Sequence, residues 1–140
     1  MDAMLLLCDY AESVNGKLYI MGGGWTMCPA GPRSMAVAVR IDVPWSDTNT
    51  KHQVALFLQD AEGNRVVLGE PPQPVEATGD FEVGRPPGIP QGSEMNFTAV
   101  FGFLGLPLDA NAGYRWQLEI NGEPSGHASF RTLAEAPPIA

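Results

Sequence analysis

Basic side chains are scarce: eight lysines and arginines stand against sixteen acids, giving a formal charge of −8 and an isoelectric point near 4.5. A chain of that sign gains nothing from counterion release on a phosphate backbone or an anionic membrane face, which excludes nucleic acid and membrane surfaces as partners. Cysteine and histidine are scarcer, with two of each. Cys8 and Cys28 are too few for a disulfide framework and lack C-x-x-C spacing, so two buried free thiols in a reducing cytoplasm are expected. His52, His127, Cys8 and Cys28 show no local pair at ligand spacing, so no metal centre is expected. Long apolar runs are missing too. In "MDAMLLLC" three leucines precede a cysteine with no basic stretch ahead of them, which does not make a secretory signal, and nothing approaches a membrane span. A cytoplasmic location follows. Helical i, i+3, i+4 periodicity is never sustained for three turns, with a single turn in "LPLDANAG" as the one rival reading.

What is present is alternation. Met35, Val37, Val39, Ile41 and Val43 fall on one face of a strand, with Ala36, Ala38, Arg40 and Asp42 on a face predicted to be wet. The same period of two returns at Val54, Leu56 and Leu58, at Met95, Phe97, Ala99, Phe101 and Phe103, at Tyr114, Trp116, Leu118 and Ile120, and at Ala128, Phe130 and Thr132. Asn15-Gly16 and Asn121-Gly122 separate such runs and signal tight hairpins, because both central residues of a type I′ turn need positive φ. Sixteen glycines and thirteen prolines make up a fifth of the 140 residues, which suits many short strands joined by turns. Strands with one apolar face must be covered by a second layer. The expected fold is all-β: an antiparallel two-sheet β-sandwich of about eight or nine strands, with a closed β-barrel as the alternative. Residues 1–133 read as one domain and residues 134–140 as a flexible tail.

Few residues suggest chemistry. In "MGGGWTM", Gly22 and Gly24 are followed by Met27 where a dinucleotide fingerprint needs its third glycine, and by Cys28-Pro29 where a helix would run. Gly22, Gly23 and Gly24 are therefore read as a bulge or strand switch that lets Trp25 pack against the opposed sheet, and no cofactor is expected. No G-x-S-x-G elbow occurs, and Asp42, Asp47, Asp60, Glu62 and Asp80 lack calcium-loop spacing. Trp25 and Trp45, exposed together, would make an aromatic platform; buried, they would close the end of the fold. "FEVGRPPGIPQG" stiffens a loop around Arg85, which would meet a partner's carboxylate or one of the protein's own acids.

Taken together, "NGKLYIMGGGW", "VAVRIDVPW", "HQVALFLQDAEGN", "FEVGRPPGIPQG" and "AGYRWQLEINGE" resemble a family of small bacterial proteins of unknown function, frequent in actinobacteria, over Leu5 to about Leu133. The resemblance implies a cytoplasmic, mostly β protein of one domain and assigns no catalytic or binding residue. Its motif positions are Gly22, Gly23, Gly24, Trp25, Pro44, Trp45, Gly84, Arg85 and Pro86. The leading functional expectation is a non-enzymatic protein-binding or assembly module that pairs with another protein or with itself. A binder of sugars or acidic metabolites using Trp25, Trp45 and Arg85 is the alternative, and a hydrolase built on carboxylates comes third.

Overall fold

The computed structural model describes residues 1–134, so the tail expected at 134–140 lies almost wholly outside the described residues. Within them the chain is all-β apart from one 3₁₀ turn at Trp45–Asp47. Its strands are β1 (Asp2–Val14), β2 (Lys17–Gly23), β3 (Met27–Cys28), β4 (Gly31–Val43), β5 (His52–Asp60), β6 (Val67–Leu68), β7 (Gln73–Pro74), β8 (Glu76–Phe81), β9 (Met95–Leu108), β10 (Gly113–Ile120) and β11 (Glu123–Thr132). Eleven strands replace the expected eight or nine. The surplus is β3, β6 and β7, two residues each and too short to show any period. "LPLDANAG" carries the end of β9 and a turn, with no helix.

Two sheets dominate. One has the order β2-β1-β4-β9, the other β3-β11-β10-β5-β8, and β6-β7 forms a separate ribbon. Both large sheets end in open edges, which rules out the closed barrel. Their facing sides share one core: Leu5, Leu7, Val37, Val39 and Ile41 from the first meet Leu56, Leu58, Trp116 and Leu118 from the second. Two aromatic stacks bridge the layers, Phe103 on Trp116 at 4.4 Å and Phe97 on Phe81 at 4.8 Å between ring centroids. Ile41, Leu56, Leu58 and Leu118, fully buried in this core, contribute about 1.5–3 kcal/mol each. Along one side β11 touches β1. A Cβ at Gly126 would run into the Ala3 carbonyl oxygen, so glycine is what allows that approach.

The outer face of β4 is not wet along its length. Ala36 and Ala38 are only 5% and 1% exposed and form a second small cluster with Cys8 and Ala11, flanked by Leu6, Leu18 and Val100. The reason is a hairpin that folds over its own sheet. β1 pairs with β4 only as far as Cys8↔Ala36, then continues with β2 alone as far as Val14↔Lys17. That distal half lies across the outside of β4 and is tied to β9 at its tip, by a 2.7 Å contact of Ser13 Oγ with Thr98 Oγ1 and by Asn96 Nδ2 donating to the Gly16 carbonyl at 3.4 Å. Alanine at 36 and 38 leaves room for this second layer.

Candidate functional site

The hairpin starts from its turn. Asn15 and Gly16 hold φ of 52° and 74°, the two positive values that a two-residue type I′ turn requires. Such a turn makes Val14 and Lys17 a hydrogen-bonded pair, and pairs then alternate along the ladder. Lys17, Tyr19 and Met21 thus spend their backbone groups on β1, while Leu18 and Ile20 aim theirs away from it, where the described residues supply no partner strand. Side chains divide the same way. Ala11, Ser13 and Leu18 face the sheet beneath. Opposite them, Tyr10 pairs with Met21 and Glu12 with Tyr19 on a face turned to solvent, where Tyr10, Tyr19 and Met21 stay 53%, 55% and 67% exposed. The Tyr10 hydroxyl donates to Glu12 Oε1 at 2.6 Å, and this bond to a carboxylate holds the phenol proton above its ordinary pKa.

The other three sheet edges are blunted. β3 is two residues long. β8 carries Glu76 and Asp80. On β9 the register slips opposite Arg33 to Met35, Gly105 turns to φ +61°, and Leu104 is thrown outward to 89% exposure. Charge, bulges and brevity are the usual protections of an edge. β2 has only Lys17, at its start.

The glycines end this hairpin. Gly22 and Gly24 hold φ of 61° and 92°, and a Cβ on Gly22 would enter the Asp9 carboxylate. Gly24 donates its N–H to the Leu7 carbonyl at 2.8 Å. The chain then leaves the first sheet and joins the second at β3, which runs parallel to β11. Trp25, half-buried in the crossing, meets the Phe130 ring edge-on at 5.8 Å, and its buried Nε1 finds no acceptor among the described residues.

Arg85 and Trp45 lie together. The guanidinium carbon sits 3.8 Å above the Trp45 ring; Nε donates to Thr48 Oγ1 at 2.6 Å and Nη2 to the Trp45 carbonyl at 2.8 Å. Within the described residues Arg85 meets a ring, a hydroxyl and a carbonyl in place of one of the protein's own acids. Pro44 opens this loop by capping the 3₁₀ turn, and the backbone just before Gly84 joins it through Asn49 N–H to the Val83 carbonyl at 2.8 Å. Pro86 begins the next bend, its carbonyl accepting from the Ile89 N–H at 3.4 Å. Trp25 is not part of this group. It packs by Phe130, which pairs with Tyr114 at the start of β10, whereas the Trp45 loop binds His52, whose Nδ1 contacts Asn121 just past the other end of that strand. A joint platform of Trp25, Trp45 and Arg85 is therefore not formed.

Cys8 and Cys28 are both free and buried, one in each cluster, and burial pushes both thiols above their ordinary pKa, away from nucleophilic thiolate. Among the described residues no three histidines, cysteines or acids gather closely enough to hold a metal ion, and no helix is long and apolar enough to cross a membrane.

Sequence reading passed over Tyr10, Tyr19 and Met21. The available signal was "KLYIM", a strand apolar on both of its faces where one face should be polar.

A family model matches residues 3–132, nearly all of the described chain. The chain belongs to DUF6941, a family of unknown function. No curated protein and no solved structure matches it. The family match spans both the hairpin and the Arg85–Trp45 loop, and it names no activity for either.

Proposed function

We propose that the protein is a non-enzymatic protein-binding and assembly module: a two-sheet β-sandwich acting in the cytoplasm that engages its partner through the β1–β2 hairpin. One observation carries this reading. β2 combines an unguarded edge with an exposed cross-strand set of Tyr10, Tyr19 and Met21. Tyrosine and methionine are enriched in interface cores, and an open strand edge offers backbone bonds to any extended segment that meets it. Two free buried thiols fit a reducing compartment.

The test is site-specific photocrosslinking in the host cell. A photoreactive side chain at Tyr19 or Met21 should give discrete adducts, while the same group at Arg115, on the second sheet, should not. Equal labelling from both sheets would sink the proposal.

A further inference from the structure

We infer that the occupant of the β2 edge is a second copy of the same chain, paired antiparallel about a two-fold axis at Ile20. This rests on the binding reading above and names its partner.

Three features support a self-pair. First, β2 runs from Lys17 to Gly23, so the antiparallel match that uses every residue of the strand has Ile20 at its midpoint. Ile20 then meets Ile20 of the second copy, with the outward N–H and C=O of each residue satisfied by the other. Second, that register is complementary in its side chains. Tyr19 faces Met21 of the second copy and Met21 faces its Tyr19, so each methionine lies between Tyr10 of its own chain and Tyr19 of the other. Sulfur against aromatic rings is a favourable contact. In the same register Lys17 and Leu18 oppose Gly23 and Gly22, which carry no side chains of their own.

Third, charge and area permit it. The whole chain carries −8, but between Asp9 and Gly24 the charged residues are only Asp9, Glu12 and Lys17, so the edge is nearly neutral and like-charge repulsion is directed elsewhere. A tyrosine or methionine left half exposed offers about 100 Å² apiece. With the strand backbone and Ile20, each copy would bury about 500 Å², or about 1,000 Å² for the pair, the lower bound of a specific interface. The result is one continuous sheet of eight strands with weak, reversible association.

Sedimentation equilibrium over a range of protein concentration should show a monomer–dimer equilibrium. Ile20→Pro removes an N–H that β1 does not use and should abolish the dimer. Met21→Glu, at an exposed site, should weaken association by about tenfold or more and stands in if the proline variant fails to fold. The register is read by mixing Tyr19→Cys and Met21→Cys proteins under mild oxidation. The mixture should form a crosslinked dimer that neither variant forms alone, with buried Cys8 and Cys28 as silent bystanders. A crosslink from either variant alone would overturn the Ile20 axis. A monomer at every concentration would overturn the self-pair, while hairpin-specific adducts with a different protein would leave the binding reading standing.

Discussion

Ser13 and Thr98, eighty-five residues apart, join their hydroxyls at 2.7 Å and so fasten the tip of the β1–β2 hairpin to β9. Ser13 Oγ also lies 3.2 Å from the Thr98 carbonyl. The hairpin is held over β4 by this pair, by the Asn96–Gly16 bond and by the small cluster around Ala38. Its outer face therefore has a fixed pose in front of any partner.

Removing that fastening should loosen the hairpin before it unfolds the domain. Ser13→Ala is expected to lower global stability by about 1 kcal/mol or less, the net worth of one such bond. Amide exchange in residues 10–21 should accelerate by a larger factor than exchange in β10. Uniform acceleration across both sheets would contradict a local tie.

Gly126 separates contact from backbone strain, because it is not among the positive-φ glycines. Gly126→Ala places a methyl against the rigid Ala3 carbonyl, with Leu5 Cδ1 at 3.0 Å, and should destabilise by about 1–3 kcal/mol through overpacking. Gly24→Ala meets no atom within 4 Å and should lose only what its φ of +92° imposes, about 1 kcal/mol. Urea denaturation would rank the two, and the reverse order would refute the close approach of β11 to β1.

Arg85→Ala should cost about 2 kcal/mol, the sum of a partly exposed cation–π contact and two hydrogen bonds. Arg85→Lys should recover little of it, since the planar fork both stacks on Trp45 and reaches Thr48 and the Trp45 carbonyl. Full rescue by lysine in thermal melts would mean that charge alone matters.

Burial raises the pKa values of Cys8, Cys28 and Tyr114. At neutral pH these groups keep their protons in both states and add no pH dependence. As the pH climbs past the ordinary thiol value of about 8.5, the unfolded chain releases protons first, so stability falls with rising pH, with Tyr114 adding to the slope above about pH 10. Urea midpoints measured across this range should decline, and the Cys8→Ala, Cys28→Ala double variant should decline less. Identical slopes would show that the thiols do not contribute.

Most of the frame was legible because alternation reports a half-buried strand directly. Val37, Val39 and Ile41, Leu56 and Leu58, Trp116 and Leu118 all face the shared core as their spacing requires. Both Asn-Gly pairs form turns with positive φ, Asn121 and Gly122 at 53° and 82°. What escaped was decided between elements. Ala36 and Ala38 alternate like solvent-facing residues, and only the hairpin folded above them makes that face dry. Trp25 and Trp45 look alike in sequence, each beside glycine or proline, yet the register sends them to different ends of the sheets. Tyr19 and Met21 were hidden for a related reason: period two counts apolar residues and does not say which face a neighbour will cover.

The parallel pairing of β3 with β11 has a consequence for biosynthesis. Arg131 donates to the Thr26 carbonyl at 2.9 Å and Leu133 to the Cys28 carbonyl at 3.0 Å, so residues 26–28 cannot complete their pairing until residues 131–133 have left the ribosome. The β1–β2 hairpin forms from sequence neighbours before that pairing is possible, with the outer edge of β2 uncovered. Under the self-pairing proposed above, nascent chains on one polysome would meet by that strand before their second sheets exist.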